Sequence, residues 1–163
     1  MKHLQSISQA VISGDKEKVA EFIKIDPSVA NEISEDGWTP LHLAAYFGQK
    51  EIASFLLEHG ADIHIRAEND NENTPLQAAI ANEQSELVAF LIEKGSDVNA
   101  VQSGGWTGLH EAALLGNEEI ITLLLENGAH KANKKNDGKT AYDIALEKGH
   151  EHLFHHLQGE VSL

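Results

Sequence analysis

The sequence predicts an all-α solenoid of about five helix-turn-helix units with intervening β-hairpin-like loops. Three observations predict it: a phrase that recurs at a fixed interval, cap residues in register with that phrase, and a composition that excludes the competing classes. The phrase reads Thr39-Pro40-Leu41-His42-Leu43-Ala44-Ala45, then Thr74-Pro75-Leu76-Gln77-Ala78-Ala79-Ile80, then Thr107-Gly108-Leu109-His110-Glu111-Ala112-Ala113. A worn fourth copy is Thr140-Ala141-Tyr142-Asp143-Ile144-Ala145-Leu146. The copies start 35, 33 and 33 residues apart, a period at which one supersecondary unit stacks on copies of itself.

Each copy opens a helix. Thr is a good N-cap, and Pro40 and Pro75 at the next position preset the backbone angle where no amide donor is needed. The small pairs Ala44-Ala45, Ala78-Ala79 and Ala112-Ala113 permit close helix approach, and Gly48 and Gly116 supply left-handed C-terminal caps. First helices of about two turns follow. The second helices carry the stripes Ile52, Leu56, Leu57; Leu87, Val88, Leu91, Ile92; and Ile120, Ile121, Leu124, Leu125. Those spacings place one apolar face against the first helix. Gly60, Gly95 and Gly128 end them, and Asp36-Gly37 and Asp137-Gly138 signal the hairpin turns.

The ends follow the pattern loosely. Residues 1–34 keep Ala10-Val11, Gly14, Val19, Phe22 and Ile23, and close on Asp26-Pro27-Ser28. At the other end Leu153, Phe154 and Leu157 preserve the second-helix stripe before Leu163. The expected organisation is one domain over 1–163, with a cap unit 1–34, units 35–68, 69–101 and 102–134, and a cap unit 135–163. Terminal units with one polar face would keep the stack from polymerising.

Composition sets the bounds. Without cysteine, neither a disulfide framework nor a thiolate metal site is possible. No apolar run follows Met1-Lys2-His3 and no stretch reaches the roughly 18 apolar residues of a membrane span, so a soluble, cytoplasmic protein is expected. Residues 1–126 hold 21 acids and 7 bases, and residues 127–163 hold five of each, so the whole net charge of −14 sits in the first part. Such acidity disfavours nucleic acid and anionic lipid and favours a protein partner with a basic face, although it also simply keeps a chain soluble.

The motifs Asp36-Gly37-Trp38-Thr39-Pro40-Leu41-His42, His59-Gly60-Ala61-Asp62 and Lys94-Gly95-Ser96-Asp97-Val98-Asn99-Ala100 resemble the ankyrin-repeat family, closely over about residues 35–150. The resemblance implies L-shaped units in a curved stack, with hairpins and first helices on a concave face. It implies a structural role for His42 and His110, hydrogen-bonding across neighbouring turns. Partner contacts in that family fall on the hairpin tip, the residue before the capping Thr, and the pair after the small residues. Here those positions give Trp38, Asn73, Trp106 and Lys139, and the pairs Tyr46-Phe47, Ala81-Asn82, Leu114-Leu115 and Glu147-Lys148. Both tryptophans then lie on the expected binding side, as hot-spot residues or as packing for the adjacent hairpin.

The third unit departs most. Its loop from Arg66 to Asn73 is two residues longer than its equivalents, Glu72 stands where a hairpin glycine is expected, and Glu83 replaces a cap glycine. A non-glycine residue in a left-handed cap costs about 1 kcal/mol. Asp70, Asn71 and Asn73 at this tip are candidates for selecting the partner, against the plainer reading of a drifted repeat.

Catalytic signatures are missing: no phosphate loop, no Gly-x-Ser-x-Gly elbow and no dinucleotide fingerprint. Ten histidines raise the question of metal, above all in the tail His150-Glu151-His152-Leu153-Phe154-His155-His156. There His152 and His156 stand at i, i+4, without the spacing of the known zinc helices. The four lysines 131, 134, 135 and 139 form a cluster suited to an acidic segment or to a solvated tip. The expectation is therefore a non-enzymatic module, without cofactor or metal. It would bind a protein partner through Trp38, Tyr46, Phe47, Asp70, Asn71, Asn73, Asn82, Trp106, Leu114, Leu115 and Lys139, as a monomer rather than a homo-oligomer. A regulator or inhibitor acting in trans on an enzyme is the alternative, and a metal-dependent activity of the histidine tail a remote one.

Overall fold

A computed structural model describes residues 6–159, and the expectations resting on Met1-Lys2-His3 and Leu163 lie outside them. The described residues form ten α-helices and short 3-10 turns, with no strand among them. The chain divides into two compact units, Met1–Ser96 and Asp97–Leu163.

The first unit holds α1 (Ile7–Ile12), α2 (Lys16–Ile25), α3 (Pro40–Tyr46), α4 (Lys50–Glu58), α5 (Pro75–Ala81) and α6 (Ser85–Glu93). First helices pack beside first helices, α1 on α3 and α3 on α5, while α2 meets α4 and α4 meets α6. The contact between α3 and α5 is close because Ala44, Ala45, Ala78 and Ala79 present no side chain beyond Cβ and are fully buried. Leu41, Leu56, Leu76, Ile80, Leu87 and Leu91 fill the space between the layers. The second unit holds α7 (Gly108–Leu115), α8 (Glu118–Glu126), α9 (Ala141–Lys148) and α10 (Phe154–Leu157), built around Leu109, Ile120, Ile121, Leu124, Leu153 and Leu157.

Caps fix where each first helix begins and ends. Thr39, Thr74, Thr107 and Thr140 each accept from the amide three residues on, and the side chain there returns a bond to the Thr amide. The returning residue is His42, Gln77, His110 or Asp143, so three chemically different side chains close one kind of capping box. The expected cap glycines are left-handed, with φ of 70° at Gly48 and 73° at Gly116. Glu72 and Glu83 hold the same region at 53° and 54° without being glycine.

The hairpin-like loops close by single backbone bonds and form no ladder. Ser34 N–H donates to Trp38 O at 2.9 Å, Ala67 to Asn73 at 2.8 Å, Gln102 to Trp106 at 2.8 Å and Lys135 to Lys139 at 2.9 Å. Successive tips are tied as well, Glu68 N–H to Gly37 O at 2.8 Å in the first unit and Asn136 N–H to Gly104 O at 3.0 Å in the second.

Candidate protein-interaction surface

Each residue before a capping Thr supplies the carbonyl that closes its loop, so its backbone is fixed. In the first unit one such residue is Trp38. Its ring lies 5.7 Å from His42 and 5.3 Å from Tyr46, and Tyr46 lies 5.1 Å from Phe47. The last two contacts are edge-to-face, the arrangement in which ring quadrupoles attract. Trp38 and Tyr46 are half-buried, while Phe47 keeps 42% of its surface exposed at the C-terminal end of α3. The Tyr46 carbonyl accepts from Asn82 Nδ2 at 2.8 Å and Gln84 Nε2 at 3.2 Å, which anchors the end of the aromatic run to the next repeat. Asn82 thus has a framing task although it is exposed.

His42 underpins the run. It is fully buried, its Nδ1 accepts from the Thr39 amide at 3.3 Å, and its Nε2 lies 2.7 Å from the Asn73 carbonyl. A carbonyl takes only a donor, so those partners assign the proton to Nε2 and leave the ring neutral. Burial pushes its pKa down to about 4, against the smaller opposing effect of the Asn73 carbonyl. His110 repeats the geometry in the second unit, with Thr107 N–H at 3.1 Å and Lys139 O at 3.0 Å, and burial lowers its pKa too.

The long loop places Asp70 and Asn71 on its exposed tip but not Asn73, which is 5% exposed and gives its carbonyl to His42. Its Oδ1 is buried with no hydrogen-bond partner among the described residues. Sequence reading passed over Asn69, which organises that tip. Its Oδ1 accepts from the amides of Asn71 and Glu72 at 3.0 and 3.2 Å, and its Nδ2 reaches the Asp36 carbonyl at 3.0 Å. An Asx turn is the available signal, since Asn two residues before the tip favours it.

In the second unit Trp106 is sheltered differently. The Lys135 ammonium stands 4.5 Å above its ring, and the lysine side chain is only 9% exposed because it lies flat while pairing with Asp137 at 2.8 Å. The lysine cluster thus spends one member on a cation–π contact and another, Lys139, on Glu147. The bond to Glu147 raises the Lys139 pKa. Leu114 and Leu115 are half-buried, and the Leu114 carbonyl lies 3.2 Å from His150 Nε2.

The histidine tail gives His152 and His156 separate hydrogen-bond partners. Residues Glu151–Leu153 form a 3-10 turn before α10. His152 Nε2 lies 2.9 Å from the Gly116 carbonyl, whereas His156 Nε2 lies 2.8 Å from Glu118 Oε1. That hydrogen bond holds the Glu118 carboxyl below its usual range.

Short helical pairs, capped alike and packed first helix to first helix, define a helical-repeat protein. A family model described as ankyrin repeats (3 copies) matches residues 7–102 and 100–160, and the chain belongs to the ankyrin-repeat family. Ankyrin repeat and SAM domain-containing protein 6 is similar to it, 37% identical over 145 residues in Mus musculus and 28% over 145 residues in Rattus norvegicus. Those alignments cover 89% of this chain and 13% and 12% of the two relatives. Ankyrin repeat and SOCS box protein 3 of Bos taurus is 50% identical over 113 residues, 69% of this chain and 21% of that protein. The chain therefore spans between an eighth and about a fifth of the relatives it matches. No helix of the described residues is long and apolar enough to cross a membrane.

Proposed function

We propose that this chain is a protein-interaction module that holds a partner protein on the first-helix and loop surface of its repeats, the surface the family resemblance expects to be concave. The observation that carries this reading is the edge-to-face run of Trp38, Tyr46 and Phe47, which ends in an exposed phenylalanine anchored by Asn82 and Gln84. Capping and core packing account for the frame below it and leave Phe47 without a task in the fold. A rigid aromatic surface loses little entropy on association. Asp70 and Asn71 on the neighbouring tip add polar selection, and Trp106, Leu114, Leu115 and Lys139 offer the second unit's counterpart. The net charge of −14 favours a partner with a basic face and works against nucleic acid, anionic membranes and self-association, so a cytoplasmic monomer is the form proposed. A binding module acts without catalysis or cofactor. A regulator acting in trans would use the same surface, its acidity hastening the encounter.

Retention from the native host's lysate tests this, with wild type beside the Trp38→Ala/Trp106→Ala double variant and the Phe47→Ala single variant, each confirmed folded by circular dichroism. A protein retained by wild type and lost by the double variant supports the surface. Phe47→Ala should weaken the purified pair by about tenfold to thirtyfold, the scale of an interface hot spot. A partner held equally by all three would move the site to the second helices and end this reading.

A further inference from the structure

Away from the aromatic surface, the described residues bring one set of metal-ligating side chains together: Glu118, His155 and His156. A carboxylate oxygen and two imidazole nitrogens lie within 4.8 Å of one another. His156 Nε2 and Glu118 Oε1 are already 2.8 Å apart, and the two imidazole rings sit 4.0 Å centroid to centroid. Ligands around tetrahedral zinc, with bonds of about 2.0–2.2 Å, stand about 3.4 Å from each other. Closing this set asks the ligand atoms to draw in from within 4.8 Å of one another, a distance on the scale of side-chain rotation. Two imidazoles with one carboxylate suit zinc, nickel or copper, whereas magnesium and calcium call for oxygen ligands.

The placement gives such an ion a mechanical role. Glu118 is the first residue of α8, and both histidines belong to α10, which is four residues long. A helix that short has no stability of its own and depends on what it is tied to. Leu153 and Leu157 hold it by burial, and the His156–Glu118 pair is its polar tie to the start of α8. We propose that Glu118, His155 and His156 bind one divalent transition-metal ion of the zinc class, and that the ion clips α10 to the start of α8. The ion would take the place of the His156–Glu118 hydrogen bond, with water in the remaining position.

The test is calorimetric titration of zinc chloride into the full chain carrying no affinity tag, with magnesium chloride in parallel. One zinc per chain with a micromolar Kd is expected, with no heat from magnesium. His155→Ala keeps the His156–Glu118 bond and so leaves the fold intact; it should lose at least tenfold in affinity, and Glu118→Gln should lose several-fold. His130→Ala, an exposed histidine elsewhere in the same unit, should titrate as wild type. Zinc at a hundredfold excess over Kd should raise Tm by about 5 °C, with slower amide exchange in α10, in wild type but not in His155→Ala. Absence of saturable binding overturns the proposal. So does a His155→Ala variant that titrates as wild type, since the ion would then sit on other surface histidines.

Discussion

Protonating His42 would remove the acceptor of the Thr39 amide inside the core, because Nδ1 takes that bond while Nε2 is spent on the Asn73 carbonyl. The folded chain holds the ring neutral with a pKa of about 4, while the unfolded chain leaves it near 6.5. As pH falls, the unfolded state takes up the proton first, so stability drains away. The contribution is full above about 6.5, falls between 6.5 and 4, and is exhausted below. It amounts to about 3 kcal/mol in all. His110 shifts in the same direction from the same cause. The chain contains its own control in Gln77, whose Oε1 accepts from the Thr74 amide at 2.8 Å in the equivalent box and does not titrate over this range. Urea unfolding at pH 7 and 4.5 should show wild type losing about 2–3 kcal/mol more than His42→Gln. Equal losses would mean that the acid sensitivity lies in the carboxylates. The structural part of His42 was legible through the family resemblance of the phrase that holds it. The side chain before each capping Thr was not legible, since four loops use that backbone identically. Bulk decides the rest: indole rings stand half-buried where the Asn73 amide turns inward.

At the scale of the element, helix starts and stops were legible because caps are local: a Thr hydroxyl, a proline and a left-handed glycine act within four residues. The tail was not, because the change from 3-10 to α geometry at Leu153 rotates side chains by a different angle per residue. A continuous α-helix would set His152 and His156 one turn apart; in the observed geometry they bond separately, to Gly116 and to Glu118. The loop from Arg66 to Asn73 shows the opposite case, where a strained position was readable from one substitution. Glu72 holds φ of 53°, its side chain is exposed, and Asn69 and Arg66 bind its backbone. Glu72→Gly should relieve about 1 kcal/mol of steric cost and surrender part of that to the looser unfolded chain. The net expectation is a gain of about 0.5 kcal/mol, read as a higher urea midpoint at unchanged slope. A lower midpoint would show that the loop relies on the glutamate side chain.

At the scale of the whole molecule, the period specifies how repeats are built and is silent on what they hold, because the positions it repeats are those that cap and stack the helices. Charge is the property that bears on a partner without any knowledge of its identity. The net −14 lies wholly in residues 1–126, and the last 37 residues are neutral. An ion pair on the surface adds little affinity, but a field of one sign over many acids accelerates encounter with an oppositely charged protein. The field is screened within about 10 Å at 0.1 M salt, so its signature is kinetic. For the partner captured through Phe47, the association rate should fall several-fold between 50 and 300 mM sodium chloride. The dissociation rate should stay within about twofold, since the proposed aromatic contact is short-ranged and apolar. Stopped-flow measurement across that range separates the contributions. A flat association rate would show that the acidity serves solubility alone, and would leave the aromatic surface as the sole determinant of binding.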